Sequence, residues 1–286
     1  MRIGFIGAGK VGFSLGKYMT ERNICVSGYY SRSASSAREA SEFTNTKFFD
    51  DLGEIVSESD ALFLTVPDRT IKDVWDSLKQ FSLKDKSVCH CSGAMSSLVF
   101  TGIEEAGAFG YSIHPLFAVC DKLHSYQNLS KAYFTIEYSD EKAKENALYF
   151  KSMFESMGNQ VRFITKEQKV LYHCAAVLSS NLVTGLFSCA SDILKDCGFD
   201  ERASEEALMP LFLNNCENIG RIGVVNSLTG PVERADTGTV KEHLQALPGS
   251  RENVKTVYKE LSKKLIEISG KKNPGRDYSE LREALR

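Results

Sequence analysis

The first twelve residues read Met1-Arg-Ile-Gly-Phe-Ile-Gly-Ala-Gly-Lys-Val-Gly12. An apolar run, Ile3–Ile6, leads into the pattern GxGxxG, and the helical stretch Phe13–Arg22 follows. A strand that enters a helix through a glycine turn directs backbone N–H groups and the positive end of the helix dipole at one point. The first glycine permits the turn, the second lets a pyrophosphate approach the backbone, and the third lets the helix pack on the strand. We therefore predict a dinucleotide cradle formed by Gly7, Ala8, Gly9, Lys10, Val11 and Gly12.

The residues after the second β-rich run, Cys25–Tyr30, indicate which dinucleotide binds. NAD-binding proteins usually place Asp or Glu about twenty residues after the glycine motif, where it holds the ribose 2′-hydroxyl. Here the run continues into Ser31, Arg32 and Ser33, and the first acid is Glu39. Hydroxyls and a permanent cation suit a 2′-phosphate. We predict NADP(H) as the cofactor; the alternative is an arginine on a solvated loop.

The composition indicates a globular protein of two domains. The chain has 286 residues, a length that exceeds that of a usual single domain. Its hydrophobic content of 42% is enough to form buried cores. Its 35 basic and 37 acidic residues nearly balance, which gives no electrostatic reason to expect a nucleic-acid or membrane partner. We recognise no signal peptide and no run of roughly twenty apolar residues. The expected location is cytoplasmic.

The cysteines favour reduced, buried thiols over a metal site. Cys89-His90-Cys91 resembles a ligand cluster, but alternate residues of a strand point to opposite faces, and no matching pair of cysteines occurs elsewhere. Four of the eight cysteines lie in apolar helical runs, where a free thiol behaves as a small hydrophobic group: Cys174, Cys189, Cys197 and Cys216. We therefore predict no metal and no disulfide.

Strand and helix patterns alternate through the first half of the chain. The β-rich runs are Ile3–Ile6, Cys25–Tyr30, Ala61–Val66, Ser87–His90, Gly110–Ile113, Ala132–Glu137 and Gln160–Phe163. Helical or turn patterns lie between them, at Phe13–Arg22, Ala34–Phe43, Ile71–Phe81, Leu98–Ala106 and Glu141–Met157. This alternation predicts an α/β fold, with an N-terminal Rossmann doubly wound parallel sheet.

The strand pattern stops near Thr165, and the remainder of the chain reads as helical. We predict an NADP-binding Rossmann domain over residues 1–165 and an all-helical substrate and dimerisation domain over residues 166–286. Residues 166–195 read as one helix that is apolar almost all round in its middle, so we expect it to be buried, partly by a second subunit. Further helices are expected at about 201–219, 240–245 and 251–269. The charged tail after Gly270 is expected to be mobile.

Candidate site residues follow the predicted strands, because ligands of open α/β sheets bind at the carboxyl ends of the strands. Val66, Pro67 and Ser92 lie at two such ends and are expected to contact the cofactor. His114 takes the first loop position after Gly110–Ile113. Its imidazole could donate a proton to an alkoxide or stabilise its charge, or could only cap the loop through a backbone bond.

A polar stripe marks the predicted long helix. Lys169, His173, Ser180 and Thr184 share one face at helical spacing, with Asn181 at its margin. One interpretation is that Ser180 or Asn181 orients a substrate carbonyl while His173 or Lys169 supplies charge or a proton. The other is a set of polar contacts inside a helical bundle.

A turn in the second half, Thr229-Gly230-Pro231, places another cation. Arg234 follows this turn and is the best candidate for holding a substrate carboxylate, with Arg221 in reserve. An ordinary salt bridge from Arg234 to Glu233 or Asp236 is equally consistent with the sequence.

Together these motifs resemble a known family. The glycine motif, Ile113-His-Pro-Leu116, Ser179-Ser-Asn181 and Leu228-Thr-Gly-Pro-x-x-Arg234-x-Asp236 resemble Rossmann-like oxidoreductases with a DUF2520 helical C-terminal domain. The resemblance extends to about residue 260. The family includes an alternative ketopantoate reductase, so the resemblance implies an NADPH-dependent reduction of 2-dehydropantoate to pantoate in pantothenate biosynthesis. Ketopantoate reductases of the usual type use a lysine and a glutamate, whereas the matching helix here offers His173 beside Lys169.

We therefore expect an NADP-dependent oxidoreductase that acts on a small keto acid and forms a homodimer through its helical domain. In this hypothesis Asn181 and Ser180 orient the carbonyl, His173 or His114 stabilises charge or donates the proton, and Arg234 holds the carboxylate. One alternative is an imine reductase similar to pyrroline-5-carboxylate reductase. Another is a binding module that senses NADPH without catalysis.

Overall fold

Eight strands form one sheet in the computed structural model, which describes residues 1–286. They are β1 (Ile3–Ile6), β2 (Val26–Tyr30), β3 (Lys47–Phe48), β4 (Ala61–Leu64), β5 (Ser87–His90), β6 (Phe109–Leu116), β7 (Tyr133–Tyr138) and β8 (Gln160–Phe163). They pair in the order β3-β2-β1-β4-β5-β6-β7-β8. The order reverses direction at β1, which lies between β2 and β4, so the glycine turn after β1 is at the switch point where such sheets bind ligands.

The helices complete this arrangement. The first part of the chain contains α1 (Lys10–Thr20), α2 (Ala34–Thr44), α3 (Leu52–Glu58), α4 (Asp68–Leu78), α5 (Lys144–Ser156) and α6 (Lys169–Ser179). The remainder contains α7 (Asn181–Asp196), α8 (Glu201–Ser227), α9 (Thr237–Ala246), α10 (Glu252–Lys272) and α11 (Ser279–Ala284). The predicted α/β class, with a Rossmann sheet followed by helices, is confirmed. The short β3 and α3 were not predicted.

Strand directions differ from the prediction at one pair. The strands from β3 to β6 are parallel, but β7 runs antiparallel to β6, and β8 is parallel to β7. Pairing with β7 extends β6 as far as Leu116, beyond the end of its pairing with β5. His114 therefore lies inside a strand, opposite Thr135, and not in the loop position that we predicted.

The core covers both faces of the sheet, which explains why its central strands are continuously apolar. In β4, Ala61 and Phe63 belong to the cluster on one face, whereas Leu62 and Leu64 belong to the cluster on the other. All four side chains are completely buried. A parallel strand with helices on both sides loses the polar alternation of an exposed strand.

The predicted helix over residues 166–195 is broken at Ser180, whose backbone leaves the helical region at φ −131° and ψ −80°. The prediction of a buried helix is also wrong for the single chain, because the only buried residues are Lys169 in α6 and Ser191 in α7. Contrary to our expectation, residues 166–196 are long and apolar enough to cross a membrane, by length and composition alone. The break, however, leaves helices of 11 and 16 residues, each shorter than a span of roughly 20.

The chain divides into two compact units, residues 1–181 and 182–286. The first unit includes α6, whose residue Lys169 is buried, whereas the predicted domain boundary at residue 165 marks the end of the strand pattern. The second unit has its own small core around α9 and α10. The tail was expected to be mobile, but Leu281 of α11 and Leu285, directly after this helix, are buried in that core. Apolar residues in this charged segment anchor it.

All eight cysteines are free thiols. Cys89 is buried, as we predicted for the thiols in general. The prediction is wrong for the five that are exposed, namely Cys25, Cys120, Cys174, Cys197 and Cys216. Cys174 and Cys216 lie on helices whose apolar side chains are themselves exposed in the single chain. The structure contains no group of three or more His, Cys, Asp or Glu side chains arranged to hold a metal.

Candidate functional site

The turn after β1 has the geometry that its glycines predict. Gly7 has a φ of +109°, and a Cβ there would lie 2.8 Å from the Thr65 carbonyl oxygen. A Cβ on Gly12 would lie 2.6 Å from the carbonyl oxygen of Gly7, so the third glycine allows α1 to pack on the strand end. Gly9 has no such close neighbour; it caps α1, and no side chain bonds to the free N–H groups there. These groups and the helix dipole are therefore available to an anion.

A cavity of about 500 Å³ opens beside this turn. Eight of the predicted cofactor residues line it: Gly7, Ala8, Gly9, Ser31, Arg32, Ser33, Val66 and Pro67. Lys10, Val11 and Gly12 form the first turn of α1 instead of the wall, and Ser92 lies outside the lining. The glycine turn and the residues after β2 thus meet in one space, as the motif predicts.

The charge of this cavity is positive. Arg32 and Arg69 both line it and neither forms a salt bridge, while the lining contains no Asp or Glu. The hydroxyls of Ser33 and Ser36 lie 3.1 Å apart at the start of α2. Two guanidinium groups and several hydroxyls form a donor set for a phosphate monoester. The residues therefore fit a dinucleotide whose ribose carries an additional phosphate.

Arg69 was missed by the sequence reasoning. It lies in the first turn of α4, two residues after the predicted contact residue Pro67. A cation two residues beyond a strand-end contact was the available signal. An exposed arginine at the start of a helix has no distinctive pattern, so only the shared cavity identifies it.

A second polar cluster surrounds the loop after β5, and Lys169 is its centre. The Lys169 ammonium donates to the Ser92 carbonyl oxygen at 2.9 Å and to the Ser112 hydroxyl at 2.7 Å. The side chain is only 1% exposed, and this burial lowers the pKa of Lys169 to about 8. A buried ammonium with a pKa near neutrality is both a positive charge and a proton source.

Two imidazoles flank Gly93 in this cluster. A Cβ on Gly93 would lie 2.6 Å from Cδ2 of His173 and 3.0 Å from Nε2 of His114. Burial, followed by the nearby charges of Lys169 and His173, lowers the pKa of His114 to about 3, so this imidazole is neutral at pH 7. His114 and His173, which the sequence offered as alternative proton donors, therefore lie on either side of one glycine, although they are far apart in the sequence.

Buried polar side chains fix the loop that carries Ser92 and Gly93. The Ser92 N–H donates to Nδ1 of His90 at 3.2 Å, so Nε2 of this imidazole carries the hydrogen that faces the Ser96 carbonyl. The Ser92 hydroxyl lies 2.6 Å from an Asp68 carboxylate oxygen. Glu137 accepts from both the N–H and the hydroxyl of Ser97, each at 2.7 Å. Hydrogen bonds therefore hold the loop at both ends.

Three predicted substrate residues do not join this cluster in the first unit. Ser180 and Asn181 are exposed at the break between α6 and α7, where the Ser180 hydroxyl donates to the Ala176 carbonyl at 2.7 Å. Arg234 is exposed in the second unit, before α9. Neither of its two predicted partners pairs with it, because Glu233 pairs with Arg276 and Asp236 caps α9.

Two family models match the chain. Residues 1–115 match a Rossmann-like domain, and residues 132–265 match a domain of unknown function, DUF2520. The two matches together run through the sheet and most of the helices that follow it. No curated protein matches the chain.

Solved structures resemble the chain over nearly its whole length. Protein TM1727 from Thermotoga maritima is 29% identical, covers 94% of this chain and 98% of its own, and superposes with a TM-score of 0.73. A putative NADP oxidoreductase, BF3122 from Bacteroides fragilis, is 21% identical with 93% and 98% coverage and a TM-score of 0.70. A pyrroline-5-carboxylate reductase from Coxiella burnetii is 14% identical with 94% and 97% coverage and a TM-score of 0.60. The last two structures share the fold of this chain. The Rossmann-like match and the cavity beside the glycine turn together define a Rossmann-fold protein suited to a dinucleotide.

Proposed function

We propose that the protein is an NADP(H)-dependent oxidoreductase that reduces the carbonyl group of a small keto acid. The observation that carries this proposal is the cavity beside the glycine turn, where Arg32 and Arg69 have no acidic partner. The fold shared with the NADP oxidoreductase and the pyrroline-5-carboxylate reductase supports the same class. Bound NADPH would supply the hydride.

The second cluster supports a carbonyl substrate over an imine. Addition of hydride to a carbonyl leaves a negative alkoxide, which needs charge stabilisation and a proton. Lys169 supplies positive charge, and its pKa of about 8 keeps it protonated in neutral solution. A protonated imine is itself a cation, so the same ammonium would repel it. We therefore favour the keto acid, and imine reduction is the second candidate.

The proposed substrate is 2-dehydropantoate, which would be reduced to pantoate. The motifs that resemble those of the alternative ketopantoate reductase PanG support this choice. The positive charge of Lys169 also suits an anionic substrate. In the first unit, His114 and His173 would contact the reacting oxygen from either side of Gly93. Asn181, Ser180 and Arg234 stay predicted contacts for the remainder of the substrate.

The experiment is to measure NADPH oxidation with 2-dehydropantoate, with related keto acids and with the cyclic imine pyrroline-5-carboxylate. We expect turnover with a keto acid and a much lower kcat/KM with the imine. A His173→Ala variant should lower kcat far more than it weakens NADPH binding. Binding of NADPH without turnover of any substrate would instead favour the non-catalytic sensing module.

We also propose that the protein is a homodimer. In the second unit, α7 and α8 expose large apolar side chains, among them Leu182, Leu186, Leu211 and Leu213. Such a set is larger than a soluble monomer usually leaves in water, and a second copy would cover it.

We propose a cytoplasmic location. The five exposed free thiols support a reducing compartment of this kind.

A further inference from the structure

Tyr172 contacts one of the imidazoles that flank Gly93. Its hydroxyl oxygen lies 2.8 Å from Nδ1 of His114, and the two rings meet edge-on with centroids 5.6 Å apart. Tyr172 lies on α6 between Lys169 and His173, whereas His114 lies on β6. The contact therefore joins the strand to the helix that carries Lys169 and His173.

The direction of this hydrogen bond decides what His114 presents to the site. His114 is neutral at pH 7, so one of its ring nitrogens bears a hydrogen and the other accepts. If the phenol donates to Nδ1, the hydrogen is on Nε2, the atom that a Cβ on Gly93 would approach to 3.0 Å. If Nδ1 donates to the phenol, Nε2 instead presents a lone pair toward Gly93.

The surroundings of the phenol favour donation to the imidazole. The contact with His114 is the one hydrogen bond that the Tyr172 hydroxyl forms. Burial raises the pKa of this phenol, so it keeps its hydrogen at pH 7. If Nδ1 donated instead, the phenol hydrogen would have no acceptor, which is costly in a half-buried group.

We propose that Tyr172 is a positioning residue that donates its hydroxyl hydrogen to Nδ1 of His114 and so fixes the Nε2–H tautomer. The side chain then directs a neutral hydrogen-bond donor toward Gly93. A donor at that point polarises a carbonyl oxygen during hydride addition, while the nearby Lys169 ammonium supplies the positive charge. The catalytic consequence depends on the proposed reductase function, but the tautomer does not.

The first test is ¹⁵N NMR of the imidazole in the wild-type protein at pH 7, with the His114 signals assigned from a His114→Gln variant. We expect the Nδ1 signal in the range of an unprotonated acceptor and the Nε2 signal in the range of an N–H. The opposite pattern in the wild-type protein would overturn the proposal. Because this measurement needs no substrate, it holds even if the proposed reaction is wrong.

The second test is Tyr172→Phe, with Tyr133→Phe as the matched control. Tyr133 is an exposed residue of β7 whose hydroxyl forms no hydrogen bond. Loss of the bond to the neutral imidazole should raise the pKa of His114 in Tyr172→Phe, and kcat should fall about tenfold with the NADPH dissociation constant unchanged. Equal kcat and equal NMR titration curves in both variants would show that Tyr172 only packs against the ring. The expected tautomer in a protein that reduces no carbonyl would contradict the proposed function and leave the tautomer assignment intact.

Discussion

Individual side chains determine the preference for a cofactor. Arg32 and Arg69 are the cations of the cavity, and each can bond to a 2′-phosphate without an acidic competitor. Replacing either residue by alanine should weaken NADPH binding at least about tenfold, since a hydrogen bond to a charged group contributes roughly 1.5–3 kcal/mol. NADH binding should change little. Isothermal titration calorimetry with NADPH and with NADH measures the ratio of the two affinities.

Arg38 provides the control for this prediction. It lies on α2, outside the lining of the cavity, and its guanidinium stacks on Phe48 with 4.0 Å to the ring centroid. Arg38→Ala should therefore keep the wild-type ratio of NADPH to NADH affinity. A ratio that is unchanged in both cavity variants would contradict the assignment of the 2′-phosphate to these arginines.

Lys169 predicts a pH dependence. Burial lowers its pKa to about 8, so the ammonium loses its proton as the pH rises through that value. If the charged form assists carbonyl reduction, kcat/KM should be constant below about pH 7 and should fall above pH 8. Lys169→Met should abolish most of the activity, whereas Lys166→Met, at an exposed lysine before α6, should not. A flat profile between pH 7 and pH 9 would exclude this role.

At the scale of secondary structure, local patterns predict the elements but not their limits. The glycine motif and alternating apolar runs were enough to predict the Rossmann sheet and the cofactor turn. The extension of β6 through His114 depends on pairing with β7, which is a contact distant in sequence. The break at Ser180 has no Gly or Pro to signal it. The sequence analysis assumed an unbroken helix and so placed Ser180 and Asn181 on the same face as Lys169. In the structure the break at Ser180 leaves both residues exposed, outside the cluster around Lys169.

The polar residues around Lys169 also show that sequence patterns identify only some members of a site. His114 and His173 could be selected because an imidazole at a strand end or on an apolar helix is chemically unusual. Tyr172 could not, since nothing in the sequence distinguishes its phenol from the other ten tyrosines. Glu137 looked like an ordinary strand residue, and its role in holding Ser97 depends on the folded position of a loop forty residues earlier.

A buried histidine at the end of β5, His90, makes the stability of the protein sensitive to acid. Burial lowers the pKa of His90 from 6.5 to about 4, so the unfolded chain takes up a proton below pH 6.5 that the folded chain does not. The free energy of unfolding should therefore decline from pH 6.5 downward, by about 3 kcal/mol from this residue once the pH reaches 4. His114 acts in the same direction. Urea unfolding should show a smaller decline in His90→Gln, and an equal decline would contradict the prediction.

At the scale of the whole molecule, the proposed dimer depends on the apolar helices of the second unit. Leu211 on α8 is 70% exposed in the single chain. Leu211→Glu should convert a dimer to a monomer, because a buried interface does not accommodate an unpaired carboxylate. Leu148→Glu, at a leucine of α5 that is 49% exposed, is the control and should remain dimeric. A wild-type protein that light scattering shows to be monomeric at micromolar concentration would refute the assembly.

The free thiols make this assembly observable without any mutation. Cys216 is three residues after Leu213 on α8 and shares its face, whereas Cys25 precedes β2 in the first unit. A dimer should shield Cys216 from alkylation and leave Cys25 reactive, and dilution to monomers should make the two rates similar. Peptide mass spectrometry after a brief pulse of iodoacetamide would thus report subunit pairing by natural probes, in purified protein or in a crude extract.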